Sequence, residues 1–365
     1  MTGPETIARR PHVLPRLADP AAPLLVVESL TTTFQLESSS VSAVDGVSFR
    51  LNDGEALGIA GESGCGKTTT ALSLVRLLPS NGRIAGGSVK FHGTDLVTKS
   101  DKALLRYRWR EISIVFQGAM NALNPVQRIR DQIGEPIELR LGASRDDARR
   151  RAGELLELVG IPAQRGAAYP HELSGGMRQR AMIAMALACD PKIMIGDEPT
   201  TALDVMVQAQ ILELLERLRR DFGLALILIT HDLSVIAETC ERVLVMYAGR
   251  VAEEGPVQRI FTNPRHPYTT KLLSAFPDIR NDRRSLETIP GLPPDLREPP
   301  PGCRFHPRCP VAMAVCHEVV PPEVVFPDGV RVACHLHPAG TDGGVPATVA
   351  SISGRVTLPI VGGGS

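Results

Sequence analysis

Residues 55–69 read Glu55-Ala56-Leu57-Gly58-Ile59-Ala60-Gly61-Glu62-Ser63-Gly64-Cys65-Gly66-Lys67-Thr68-Thr69. The first six are a short, mostly apolar run, the pattern of a strand buried in a covered sheet. The next eight satisfy G-x-x-x-x-G-K-[ST], and a helical stretch from Lys67 to about Leu78 follows. Strand, glycine loop and helix in that order build an anion nest, because backbone N–H groups converge at the helix N-terminus. Gly61, Gly64 and Gly66 permit positive φ angles and a close approach of phosphate, and Glu62, Ser63 and Cys65 complete the loop. In such a loop Lys67 reaches the β- and γ-phosphates, Thr68 offers its hydroxyl to Mg²⁺, and Thr69 contacts an α-phosphate. The bland alternative is a glycine-rich turn that binds nothing; it leaves the flanking strand and helix to coincidence.

Outward from that loop, Ile193-Met194-Ile195-Gly196 reads as a second buried strand that ends in Asp197-Glu198. Adjacent side chains at a strand end point in different directions, so the two carboxylates can take different roles. Asp197 belongs on the Mg²⁺ shell, and Glu198 on an attacking water, which needs a base at neutral pH. An acidic pair that merely stabilises a helix N-terminus is the alternative. Leu224-Ala225-Leu226-Ile227-Leu228-Ile229 is a further buried strand, followed by Thr230-His231-Asp232. A lone histidine is usually structural, but His231 at that strand end faces the same phosphate site.

Between loop and acidic strand lies Leu173-Ser174-Gly175-Gly176-Met177. With it, the chain resembles the ATP-binding cassette family over roughly residues 24–262. The resemblance implies an α/β, P-loop NTPase fold: a RecA-like core, an antiparallel β lobe, and an α-helical lobe at about 118–188 that docks on a membrane permease. It also implies roles. Phe34 stacks on adenine. Gln117, after the strand Ile112-Ser113-Ile114-Val115-Phe116, senses Mg²⁺ and the transporter. Ser174, Gly175 and Gly176 are the signature that reaches a partner's ATP, Ala202-Leu203-Asp204 couples the two ATP sites, and His231 is the switch histidine. The family's signature ordinarily ends in Gln where this chain has Met177.

A narrower resemblance, to about residue 338, is to the ATP-binding subunits of oligopeptide and dipeptide importers. It rests on Tyr169-Pro170-His171-Glu172, Met177-Arg178-Gln179-Arg180, His266-Pro267-Tyr268-Thr269 with Leu272-Leu273, and Cys303-Arg304-Phe305-His306-Pro307-Arg308-Cys309-Pro310. That group also includes importers of nickel and other small solutes. The resemblance implies an ATPase coupled to transport, working with a similar but non-identical second cassette, two transmembrane permease subunits and an external solute-binding protein. Other readings are a soluble cassette ATPase of DNA repair, translation or iron–sulfur assembly. The long coiled-coil insertion of the repair proteins is not visible, nor are the paired cassettes of the translation proteins.

Composition limits the alternatives. Lys plus Arg and Asp plus Glu both total 40, and aromatic residues are 4%. Neither a basic field nor stacking surfaces argue for nucleic acid. No apolar run approaches the ~18–20 residues of a membrane span. Residues 1–23, with five prolines, lack a secretory hydrophobic core and read as a flexible lead-in, so a peripheral position on the cytoplasmic side of the cell membrane is expected.

Seven cysteines in a cytosolic chain do not suggest structural disulfides. Cys65, Cys189 and Cys240 fall in the ATPase core. Four others follow a linker with a docking helix (263–300): Cys303-x5-Cys309-x6-Cys316-x17-Cys334, within a small Cys-rich lobe at 301–338. Four thiolates suit tetrahedral Zn²⁺ or an iron–sulfur cluster. The absence of tight C-x2-C pairs disfavours zinc, while His306, His317, His335 and His337 keep it open, and spacing does not decide. The family resemblance implies a [4Fe–4S] cluster. Residues 339–365, rich in Gly, Ala, Val and Thr, read as a tail without regular structure.

Overall fold

The structure, a computed structural model, describes residues 22–37, 39–116, 122–201, 203–275, 289–340 and 343–347. The strands are β1 (Leu25–Gln35), β2 (Ser40–Leu51), β3 (Ala56–Ala60), β4 (Gly82–Phe91), β5 (Thr94–Asp95), β6 (Ile112–Val115), β7 (Ile193–Asp197), β8 (Ala225–Ile229), β9 (Arg242–Tyr247), β10 (Arg250–Pro256), β11 (Glu323–Val325), β12 (Arg331–Ala333) and β13 (Val345–Pro346). The α-helices are α1 (Lys67–Leu74), α2 (Asp101–Leu104), α3 (Ile129–Leu141), α4 (Arg145–Leu158), α5 (Gly175–Ala186), α6 (Val205–Phe222), α7 (Leu233–Thr239), α8 (Val257–Thr262), α9 (Pro267–Ser274) and α10 (Val315–Glu318).

Strands β2-β1-β4-β5 form an antiparallel sheet, and β13-β11-β12-β10-β9-β3-β8-β7-β6 a mixed one. In the mixed sheet, β9, β3, β8, β7 and β6 run parallel to one another. Every residue of β3, β7 and β8 is buried, which is why their sequences are nearly continuous apolar runs. Alternation survives in the choice of side chain. Leu57, Ile59, Ile193, Ile195, Ile227 and Ile229 join a core with Val27, Phe49 and Leu74 of the antiparallel side. Met194, Leu226 and Leu228 face the other way, into a core with Ile183, Leu214 and Ile236. On that face β3 offers only small residues: a Cβ on Gly58 would lie 2.7 Å from Ile236 Cγ2. The small residue lets α7 pack directly on β3.

Helix α6 illustrates how the helical face is built. Asp204 caps its N-terminus by accepting from the Val207 amide at 3.0 Å, and Gly223 in the left-handed conformation ends it. Ile211, Leu214, Leu215 and Leu218 are its buried residues, each contributing roughly 1.5–3 kcal/mol of burial. Leu218→Ala would remove one of these buried contacts at a cost of ~2–5 kcal/mol.

Two expectations need correction. Helix α1 ends at Leu74 rather than near Leu78, because Arg76 takes a left-handed φ of 52° and the Leu77 amide turns back to the Leu72 carbonyl. The larger correction concerns the tail. The Cys-rich segment is not a lobe apart: β12 pairs with β10 in antiparallel register, Glu253 opposite Val332, so β11–β13 extend the ATPase sheet. β13 lies beyond Pro338, where no regular structure is expected from composition. An ion network secures the junction. Buried Arg331 pairs with Glu254 and with Glu323 (2.7 Å), while Arg242 pairs with Glu254 and with Glu55 (2.8 Å). Burial alone would raise the Glu254 carboxyl, but the Arg331 and Arg242 guanidiniums outweigh it and hold its pKa below the ordinary value. Among the described residues no helix is long and apolar enough to cross a membrane.

Candidate nucleotide site

The C-terminal ends of β3, β7 and β8 lie side by side, and each carries part of the site. After β3 the loop turns through three glycines with φ of 144° (Gly61), 78° (Gly64) and 102° (Gly66). A Cβ on Gly61 would meet the Met246 carbonyl oxygen at 2.2 Å, and one on Gly66 the Ala43 carbonyl oxygen at 2.3 Å. Those two positions therefore need glycine for space as well as for φ. Lys67, the first residue of α1, is buried, and its Nζ donates to the Gly61 carbonyl (2.6 Å) and the Glu62 carbonyl (2.9 Å) of its own loop. The ammonium is thus held over the nest that the loop encloses.

From β7, Asp197 is buried, and its Oδ1 accepts from the Thr68 hydroxyl at 3.2 Å. Burial chiefly raises its pKa; the Thr68 hydrogen bond opposes that, and the charge of Glu198 adds to it. A carboxylate and a hydroxyl brought together at the foot of an anion nest form a donor set that fits Mg²⁺. Glu198 turns the other way. Its Oε1 lies 3.3 Å from His231 Nδ1 after β8, and its Oε2 accepts from the Thr201 hydroxyl at 2.9 Å. Glu198 has a φ of 49°, a costly conformation for a non-glycine residue, held by its amide donating to the Ile229 carbonyl at 2.8 Å. The Glu198 side chain is mostly shielded while the His231 ring is largely open to solvent.

Other expected residues fall as follows. Phe34 is the next-to-last residue of β1, half-buried, beside Gly82, where a Cβ would come within 2.8 Å of the ring. Ser174 is the N-cap of α5, its Oγ accepting from the Met177 amide at 3.3 Å, and Gly175 opens that helix. Gly176 packs against α6, where a Cβ would sit 2.7 Å from Val207 Cγ1. Asp204 is the α6 cap described above. Gln117 and Ala202 lie outside the described residues.

Several residues around the loop carry no role in the sequence reading. The Tyr268 hydroxyl accepts from the Glu62 amide at 2.8 Å, and Arg308 grips the Glu62 carboxylate through two hydrogen bonds, at 2.6 and 2.9 Å. Both sit in stretches that stood out in the sequence, one after His266-Pro267 and the other between Cys303 and Cys309. A contact spanning 246 residues has no local signature.

All four tail cysteines are free thiols, and among the described residues no group of three or more His, Cys, Asp or Glu side chains is arranged to hold a metal ion. The expected [4Fe–4S] or zinc centre is therefore not preformed in this geometry. The thiols are nonetheless neighbours. Burial first, and then the charges of Cys303, Cys309 and Cys316, push Cys334 up to about 11. Burial likewise raises Cys303 and Cys309, against backbone N–H donors from Phe305 and Val311 respectively.

A phosphate loop, an acidic strand end and a histidine strand end, with an antiparallel sheet on one face and helices on the other, define an ATP-binding cassette ATPase. The family profile described as ABC transporter matches residues 44–201, and that described as oligopeptide/dipeptide transporter, C-terminal region, matches 252–316. The chain is 49% identical over 322 residues to the "Probable peptide ABC transporter ATP-binding protein y4tR" of Sinorhizobium fredii, covering 87% of this chain and 96% of that protein. It is 48% identical over 314 residues to a Brucella abortus protein provisionally named a peptide import ATP-binding protein, covering 82% and 93%. The bacterial ABC transporter cassette MJ0796, solved as a dimer, superposes with a TM-score of 0.58 at 28% identity, over 64% of this chain and 98% of that one. A second structure of that cassette holds ADP and phosphate. The chain belongs to the ATP-binding cassette family of transporter ATPases.

Proposed function

We propose that this chain is the ATP-hydrolysing motor subunit of an importer for oligopeptides or dipeptides, peripheral on the cytoplasmic face of the membrane. The observation that carries the reading is the convergence of Lys67, Thr68–Asp197 and Glu198–His231 on adjacent strand ends. The loop amides and Lys67 bind the β- and γ-phosphates, with Gly61, Glu62, Ser63, Gly64, Cys65, Gly66, Thr68 and Thr69 forming the cradle. Thr68, Asp197 and Gln117 would hold Mg²⁺ directly or through its water, and the ion would neutralise phosphate charge. Glu198 accepts a proton from the attacking water, His231 holds the γ-phosphate side, and Phe34 stacks on adenine. Ser174, Gly175, Gly176 and Asp204 act across a sandwich with a homologous second cassette. Closure of that sandwich drives two permease subunits, to which an external solute-binding protein delivers peptide. Residues 24–262 act as the ATPase domain.

The relatives' names and the C-terminal profile favour peptide over other small solutes. Four thiols between residues 303 and 334, with the family resemblance, favour a metal held by Cys303, Cys309, Cys316 and Cys334. We propose that it is a [4Fe–4S] cluster with a structural role, and zinc is the competing occupant. The transport reading is tested on the assembled complex, purified from detergent-solubilised membranes. Di- or oligopeptides with the solute-binding protein should stimulate its ATPase. Recovery of the chain without permeases, or stimulation by nickel alone, would contradict it.

A further inference from the structure

Glu62 sets a problem for an anion site: it is a carboxylate inside the loop that should attract a polyphosphate. Its neighbours show how the fold handles that charge. Arg308 lies across Glu62 with both terminal nitrogens on the two carboxylate oxygens, a bidentate pair with the strength and direction of a charge-assisted fork. The Arg308 side chain is only 6% exposed. Its Nε donates to the Pro290 carbonyl at 2.8 Å, and its Nη1 also reaches the Tyr247 hydroxyl at 3.2 Å. The guanidinium is therefore fixed, and it fixes Glu62 in turn.

The segment that carries Arg308 is itself pinned to the ATPase core. Phe305, 2% exposed, packs with ring centroids 5.1 Å from Tyr247 and 5.4 Å from Tyr268. Tyr268, fully buried, holds the Glu62 amide. Arg304 pairs with Asp45 at 2.6 Å and donates to the Ala248 carbonyl. The stretch between Cys303 and Cys309 thus sits against the phosphate loop and the β9–β10 turn at three points.

We infer that Arg308 is a positioning residue for nucleotide binding, which neutralises and orients the Glu62 carboxylate so that the loop accepts a polyphosphate. This rests on the reading of residues 61–68 as the ATP site. The rival is that the pair only fastens the C-terminal segment to the core. The two differ in sign. If Arg308 acts by neutralising Glu62, removing the arginine leaves a repulsive charge on the phosphate loop, and removing that charge as well restores binding. If the pair is only a fastener, loss of both partners cannot restore anything.

The test is equilibrium binding of a fluorescent ATP analogue with Mg²⁺ to the full-length chain. Arg308→Ala should weaken binding on the order of ten-fold, as expected for an uncompensated charge in a partly shielded site. The double variant Glu62→Gln with Arg308→Ala should return to within about three-fold of Glu62→Gln alone. Arg308→Lys, which keeps the charge without the fork, should fall between wild type and Arg308→Ala, and it carries the comparison if Arg308→Ala does not fold. A double variant as weak as Arg308→Ala would overturn the inference. So would unchanged affinity in Arg308→Ala while Lys67→Ala loses binding. Wild-type affinity in Lys67→Ala would instead remove the underlying ATP-site reading.

Discussion

Glu198 Oε1 stands 3.3 Å from His231 Nδ1, although the residues are 33 apart in sequence and lie at the ends of different strands. The pairing follows from β7 and β8 running parallel in register, Asp197 opposite Ile229, so that the two residues emerge from the sheet together. The left-handed backbone at Glu198 then turns its carboxylate from the buried Thr68–Asp197 pair toward the histidine. Two adjacent carboxylates thereby have different surroundings, one buried against a hydroxyl and one beside an imidazole.

If His231 stabilises charge on the γ-phosphate side, His231→Ala should keep ATP affinity and lower turnover by ~10²–10³-fold, the usual effect of losing one such donor. Steady-state ATPase of the assembled complex, with a parallel binding measurement, checks this. A rise in KM with unchanged kcat would assign His231 to ground-state binding instead.

Gly176 has a packing duty besides any role toward a partner's ATP. Gly176→Ala places a methyl 2.7 Å from Val207 Cγ1, so it should destabilise the chain by ~1–3 kcal/mol as an overpacked contact. Val207→Ala in the same molecule should recover most of that loss. Denaturant unfolding of the two single variants and the double measures the coupling. Additive losses would show that the α5–α6 contact is not the cause.

His266 is wholly buried. Burial chiefly, with the nearby His337 charge, lowers its pKa from 6.5 to about 3. Its Nδ1 accepts from the Tyr268 amide at 3.0 Å, capping α9. The unfolded chain binds this proton at higher pH than the folded one. The contribution to stability is therefore full above the ordinary histidine pKa and is lost as pH falls toward 3. His266→Asn keeps a capping acceptor without the titration. The wild-type stability should fall relative to that variant by about 2 kcal/mol between pH 7 and pH 5. Parallel profiles of the two proteins would contradict the assignment.

How much of this was legible in the sequence depends on the range of each contact. The loop, β3, β7 and β8 are local patterns, and these elements fall on the expected stretches. Pro136 lies inside α3, so breaker residues gave little warning of that helix. β11 and β12 have three residues each, too few for a periodicity, and β12 pairs with β10, far back in the chain. The joining of the tail to the ATPase sheet was therefore invisible, as was the Arg308–Glu62 pair. The cysteine spacing was legible as a donor set, but spacing carries no geometry.

The metal reading has a direct consequence for the tail. Anaerobically purified protein should be brown, absorb broadly near ~400 nm, and contain iron and sulfide in equal amounts. Cys309→Ser should bleach it and leave residues 301–338 more sensitive to protease, because structural metal binding is coupled to folding. One zinc and no iron would replace the cluster, while four thiols that react quickly with a thiol reagent in colourless protein would remove the metal site.

The measurement closest to the central claim is ATP turnover by Glu198→Gln in the assembled complex. A glutamine keeps the side chain's shape but cannot take a proton from water, so hydrolysis should fall by ~10²–10⁴-fold. Nucleotide binding should persist, trapping a closed pair of cassettes with ATP in place. Hydrolysis at the wild-type rate would contradict the account: Glu198 would not be the base.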